Sequence, residues 1–212
     1  MEIKEKALRA IEELKKLYPD ALCSLSCESA FQLLVATRLS AQCTDARVNM
    51  ITPGLFSKYP DAESMSKADV SEIENIVRPC GFYHHKARDI VEMSKMLVSD
   101  FGGKVPDEIE VLITLPGVGR KTANLIVGDV YGKAAIVADT HLIRISNRLG
   151  LVDSKDPLKV ETQLRKIIPP EEGNNYCHRN VLHGRAVCDA RKPKCEICSL
   201  NSFCKYREET KG

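Results

Sequence analysis

Apolar residues recur at helical spacing along most of this 212-residue chain, while period-two alternation is almost absent. Ala7, Leu8, Ile11, Leu14 and Leu17 share one face and predict an amphipathic first helix. Phe31, Leu34, Val35 and Leu39 predict a second, buried helix, and Val48, Ile51 and Leu55 a third. Ile73, Ile76 and Val77 mark another that ends before Pro79 and Gly81. Ile90, Met93, Met96, Leu97 and Phe101 mark a long helix stopped by Gly102-Gly103. Pro106-Asp107 opens the next, with Val111, Leu112 and Leu115 on its apolar face. Further helices are expected over 121–131, 142–149, 158–167 and 176–187, and the run 134–138 reads as one short, isolated strand. The fold class expected is all-α, with short polar links and no repeat of fixed period.

A chain of this length forms one large domain or two small ones. Its 43% hydrophobic content excludes a disordered class. Lys and Arg total 31 against 29 Asp and Glu, so a net charge of +2 excludes a polybasic protein but permits a local basic face. The charged start MEIKEKALRAIEELKK lacks the apolar core of a secretory signal, and no run approaches the roughly 18 apolar residues of a membrane span. A soluble, cytoplasmic protein without a membrane partner is expected. That compartment argues against a disulfide framework.

The nine cysteines are unevenly placed. Cys23, Cys27, Cys43, Cys80 and Cys177 are scattered and read as small packing residues. Cys188, Cys195, Cys198 and Cys204 form C-x6-C-x2-C-x5-C at the start of a charged tail too poor in aliphatic residues to build its own core. Four thiolates at this spacing suit one tetrahedral metal or a cubane cluster, and a bound centre would order the tail by coordination. Spacing does not choose between them, and on chemistry alone zinc is slightly favoured. Arg191, Lys192 and Lys194 lie between the first two cysteines, as a solvated loop or as a phosphate-binding surface.

Leu115-Pro116-Gly117-Val118-Gly119-Arg120-Lys121 joins two expected helices. Gly117 and Gly119 permit left-handed backbone and close approach, and amides at the following helix start can bind phosphate. The element reads as a helix-hairpin-helix, a sequence-independent binder of the DNA backbone; Arg120 adds charge there. Lys121, in the first turn, is either a phosphate contact or an activated nucleophile. Asp139, after a short apolar run, is either a helix cap or a catalytic carboxylate, and His141 is a structural support or a ligand contact.

Taken together, LSAQ at 39–42, Gly81-Phe82-Tyr83, LPGVGRKTAN at 115–124, Asp139-Thr140-His141, LHGR at 182–185 and the four-cysteine tail resemble the endonuclease III family of DNA glycosylases over nearly the whole chain. The resemblance implies a [4Fe-4S] cluster on the four cysteines, displacing the zinc reading. It implies two lobes, a six-helix barrel with the hairpin over 22–134 and a cluster lobe from 1–21 plus 135–212, with the active-site cleft between them. It implies a monomeric, bifunctional glycosylase and abasic-site lyase that removes oxidised pyrimidines from duplex DNA. Lys121 is then the nucleophile and Asp139 its carboxylate partner. Gln42 fills the space left by the extruded nucleotide. Phe82 wedges the opposite strand, or alternatively packs in the core. Gly117, Gly119, Arg120, His141, Arg144, Arg148, Arg185, Arg191, Lys192 and Lys194 are the further expected DNA contacts, forming a basic face that the near-neutral total hides. A monofunctional adenine or mismatch glycosylase is the first alternative. The absence of a Glu between 35 and 42, and of a further C-terminal recognition domain, counts against it. A DNA-binding module with a structural metal is the second. His84 and His85 receive no chemistry.

Overall fold

A computed structural model describes residues 2–210. It contains twelve α-helices joined by short loops and 3-10 turns, with no strand among the described residues. Two compact units divide it, one from Cys23 to Tyr131 and the other from Met1–Leu22 with Gly132–Gly212.

The continuous unit is built on α2 (Ala30–Ser40), capped by Ser29, whose hydroxyl accepts the Gln32 amide at 3.2 Å. Phe31, Leu33, Leu34, Val35, Ala36 and Leu39 bury all round it, as in a helix enclosed by others. α3 (Asp45–Lys58) packs on α2. α4 (Ala62–Ser66) is a single turn fixed by a reciprocal capping box between Asp61 and Ser64. α5 (Val70–Val77) leads through the 3-10 turn Arg78–Cys80 into the long α6 (Tyr83–Phe101). α6 packs against α2, α4 and α5, and left-handed Gly102 ends it. α7 (Ile109–Leu112) starts three residues later than Pro106 suggested and is only one turn long. Its continuation tightens into turns, with Thr114 bonded to Val111 and Leu115 to Leu112. α8 (Arg120–Asp129) closes the unit against α2 and α7.

In the second unit, α1 (Ile3–Leu17) and α9 (Thr140–Leu149) both pack on α11 (Gly173–Ala186), and α10 (Pro157–Leu164) precedes it. Glu172, just before α11, accepts from Lys15 at 3.2 Å and from Arg179 at 2.9 Å. The strand expected at 134–138 does not form. Ala135, Ile136 and Val137 are buried, but no second strand faces them, and the Val137 amide donates to Cys177 Sγ at 3.2 Å instead. The tail is more structured than its composition suggested: two 3-10 turns, Cys195–Ile197 and Asn201–Phe203, lead into α12 (Lys205–Thr210), which packs on α9.

Candidate functional site

The hairpin between α7 and α8 is shaped by its two glycines in different ways. Gly117 has φ of +73° and lies against the Arg38–Asp89 ion pair, where an added Cβ would sit 2.6 Å from Arg38 Nε and 2.8 Å from Asp89 Oδ2. Arg38 itself donates to Asp89 Oδ2 through Nε at 2.8 Å and Nη2 at 2.6 Å. Val118 is buried and its amide bonds Leu115 O at 3.1 Å, so the apolar residue between the glycines anchors the turn. Gly119 is the N-cap of α8, and no side chain caps that helix. Its first-turn amides therefore face a position where an anion is favoured. Arg120 reaches back to Glu110 at 3.3 Å. Lys121 is exposed in that same first turn, and its side chain has no hydrogen bond or ion pair among the described residues.

Asp139 is the N-cap of α9 in the other unit. Its Oδ1 accepts the Leu142 amide at 2.8 Å, while Oδ2 has no hydrogen-bond partner among the described residues. The cap thus uses one carboxylate oxygen and leaves the second. His141 Nδ1 lies 3.1 Å from Arg144 Nη2. A Cβ at Gly184 would overlap the His141 ring and Arg144, which explains the glycine in the LHGR run, a requirement sequence reasoning missed.

The four cysteines of the tail line one small, partly open cavity with Arg148, Val187, Pro193, Lys194, Asn201, Tyr206 and Arg207. Yet no three His, Cys, Asp or Glu side chains among the described residues are grouped to hold one metal ion. Four thiols lining one cavity supply a complete all-sulfur donor set, which fits a cubane iron–sulfur cluster as well as a tetrahedral metal. Burial raises the thiols of Cys198 and Cys204, so ligation must supply the charge compensation that keeps them as thiolates. His183 sits behind the cavity, its Nε2 3.5 Å from Cys198 Sγ, and burial pushes its pKa down to about 4.

The basic residues expected to contact DNA divide sharply. Arg144 donates to Cys188 O through Nε at 3.1 Å and Nη2 at 2.9 Å. Arg148 donates to Cys188 Sγ at 3.2 Å, Asp189 O at 2.7 Å and Ala190 O at 2.9 Å, and stacks over Tyr206. Both guanidinium groups are spent on the loop that begins at Cys188. Arg191 and Lys192 are exposed, and their backbone amides converge on Asp189 Oδ1 at 2.9 and 3.2 Å. Lys194 Nζ bonds Ala186 O at 3.1 Å, and Arg185 is exposed at the end of α11.

Gln42 (φ +56°) and Phe82 (φ +48°) are the two non-glycine residues with left-handed backbone among those described. Such a conformation costs about 1–2 kcal/mol for an L residue and concentrates at functional positions. Gln42 is exposed, and Phe82 is 63% exposed, so the core-packing alternative for Phe82 is overturned. His84 pairs with Glu74 at 2.8 Å and His85 Nδ1 lies 3.1 Å from Arg88. All nine cysteines are free of disulfides; of the scattered five, Cys80 and Cys177 are buried and Cys23, Cys27 and Cys43 pack at the edge of the core.

Comparison with known proteins agrees with this arrangement. Residues 35–170 match the model of the HhH-GPD superfamily base excision DNA repair protein, and residues 188–204 match the iron-sulfur binding domain of endonuclease III. The chain is 47% identical to endonuclease III of Synechocystis sp. over 95% of its own length and 92% of that protein. It is 35% identical to endonuclease III of Escherichia coli K12, covering 97% and 98%. A solved structure described as a trapped endonuclease III–DNA covalent intermediate, an estranged-adenine complex, superposes with a TM-score of 0.92 at 41% identity, covering 99% of each chain. A thermostable thymine-DNA glycosylase shares the fold at a TM-score of 0.87 and 22% identity, covering 97% of this chain and 98% of that one.

Proposed function

The chain belongs to the endonuclease III family, the DNA glycosylases and AP lyases of base excision repair, and from that premise we propose that Lys121 and Asp139 carry out base removal and strand nicking at oxidised pyrimidines in duplex DNA. The observation that carries the assignment is Lys121 itself: an exposed, unpaired amine in the first turn of α8, immediately beyond the hairpin.

The target nucleotide must leave the stack before any side chain can reach its sugar. In this reading the uncapped amides after Gly119 take a backbone phosphate, Gln42 enters the vacated space where its amide bonds the orphaned base, and the Phe82 ring wedges the opposite strand. Deprotonated Lys121 attacks C1′ of the deoxyribose as the glycosidic bond breaks; the base leaves with that electron pair and takes up a proton. The C1′–O4′ bond then opens, O4′ is protonated, and an iminium joins Nζ to C1′. The iminium acidifies the C2′ proton; its removal expels the 3′ phosphate by β-elimination, and water releases the lysine. Asp139 is assigned the carboxylate role that the family resemblance implies: Oδ2 accepts a proton during the reaction and offsets positive charge at the sugar, while Oδ1 stays with the Leu142 amide.

Cys188, Cys195, Cys198 and Cys204 would hold the [4Fe-4S] cluster of the iron-sulfur binding domain, and the bound cluster would supply a cross-link ordering the loop at Cys188–Cys204. Arg191 and Lys192 on that loop then meet phosphate. Arg144, Arg148 and His141 serve by shaping the loop and α11 rather than by touching DNA. A monomeric, cytoplasmic protein acting on DNA follows from this reading; among the described residues no helix is long and apolar enough to cross a membrane.

Borohydride reduction of a reaction on thymine-glycol or abasic duplex tests the mechanism. A covalent protein–DNA adduct is expected with the native chain and none with Lys121→Ala. Base release without nicking or adduct would instead place the chain with monofunctional glycosylases.

A further inference from the structure

Lys86 is one of the most deeply buried side chains of the molecule, at 1% exposure, although it lies on the apolar face of α6 beside Ala87, Ile90 and Met93. Its Nζ donates to Leu39 O at 2.7 Å and to Cys80 O at 2.9 Å. Its backbone amide bonds Phe82 O at 3.1 Å. Leu39 lies in the last turn of α2, three residues before Gln42; Cys80 ends the 3-10 turn two residues before Phe82. Both acceptors are therefore carbonyls at helix ends, where partial negative charge favours a cation.

A buried ammonium is expensive, and an apolar side chain of the same length would fill this space without that cost. Burial does lower the lysine's pKa, helped by Arg38 and opposed by Cys43 and Cys80. What the ammonium provides that an apolar chain cannot is a fixed link between two separate loops. Those loops carry the two strained non-glycine residues, Gln42 and Phe82. Strained backbone persists only where its surroundings over-determine it.

We propose that Lys86 is a positioning residue for nucleotide extrusion: its ammonium ties the Gln42 loop to the Phe82 loop, so that both side chains enter the duplex as one rigid element. This rests on the reading of Gln42 and Phe82 given above. A tied pair needs no ordering when DNA arrives, so its binding energy goes into unstacking the lesion.

The test uses the full chain with its cluster. Lys86→Met should slow single-turnover base release from a thymine-glycol duplex by about 30-fold or more. Trapping on a preformed abasic duplex, where no base must be unstacked, should fall by less than about threefold. Equal losses on the two substrates would mean a merely structural lysine. In a Gln42→Ala background the same substitution should cost little more, whereas fully multiplicative effects would overturn the link. Native-state hydrogen exchange on the wild-type chain decides the matter even if Lys86→Met does not fold. The Cys43 amide, bonded to Ser40 O, and the Gly81 amide, bonded to Arg78 O, should open together with one common protection factor. Independent opening would refute the proposal. A wild-type chain inactive on both duplexes would instead sink the functional reading, leaving the exchange result to judge the link.

Discussion

Arg148 donates to the sulfur of Cys188 at 3.2 Å, and the same guanidinium holds the carbonyls of Asp189 and Ala190. One side chain on α9 thus fixes both Cys188, a proposed cluster ligand, and the start of the loop that follows it. Charge-assisted bonds of this kind are each worth about 1.5–3 kcal/mol at most, less where solvent reaches them, as it does at Asp189 and Ala190. Arg148→Ala should leave α9 helical but loosen the loop, so that a chelator bleaches the cluster about tenfold faster than in the native protein. Arg148→Lys keeps the charge but not the planar fork, and should fall between the two. Visible absorbance and iron content followed over time would check this; unchanged retention in Arg148→Ala would remove the residue from the cluster's support.

Asp139 offers a way to separate a cap from a catalyst. Asparagine caps a helix as well as aspartate, whereas alanine cannot, at a cost of about 1 kcal/mol. Asp139→Asn should therefore melt close to the native protein, and Asp139→Ala roughly 2–4 °C lower. Both should lose borohydride-trapped adduct by about 100-fold or more, because both lack the second carboxylate oxygen. If Asp139→Asn traps DNA as the native chain does, the residue is a cap and nothing else.

The helices with a clear apolar stripe, α1, the later part of α6 and α9, were legible from spacing, and α2 from an apolar run that buries all round it. The residues at 62–66 were not: five residues show no period, although Asp61 and Ser64 left a capping-box trace. The run 134–138 misled because buried irregular backbone and buried strand share one composition; only the Cys177 sulfur under Val137 tells them apart. Lys121, Asp139 and the four cysteines stood out by residue type and order, but type and order alone left each with two readings, and the family resemblance supplied the roles proposed for them. The occupation of Arg144 and Arg148 was not, since a count of positive charges does not say which carbonyl a guanidinium meets. Lys86 did leave a signal, a lysine in register with Ile90, Met93 and Leu97 on a helix's apolar face.

The two glycines of the hairpin should fail differently. Gly117→Ala places a methyl on left-handed backbone and drives it into the Arg38–Asp89 pair, so a loss of about 2–4 kcal/mol in stability is expected. Gly119 has φ of −96° and no atom within 4 Å of an added Cβ. Gly119→Ala should cost about 0.5–1 kcal/mol in capping but, by crowding the uncapped amides, weaken binding to undamaged duplex about tenfold. Thermal melts and anisotropy titrations on the pair distinguish a hinge of the fold from a phosphate seat. A Gly119→Ala protein that binds as tightly as the native chain would contradict the seat.

Arg191 and Lys192 lie on the loop that Arg148 secures, exposed, with their backbone amides tied to Asp189. Because neither side chain supports the fold, Arg191→Ala with Lys192→Ala should change stability by no more than about 0.5 kcal/mol. Each phosphate neutralised contributes about 0.9 to the slope of log affinity against log salt. If both side chains contact phosphate, the double variant's slope should be shallower by roughly 1.8, with the affinity difference shrinking as salt rises. Arg148→Ala, which disturbs the same loop from behind, should reproduce part of this loss even though its own guanidinium is spent within the protein. A double variant with the native slope would show that the loop is solvated and that phosphate is held elsewhere, at the hairpin.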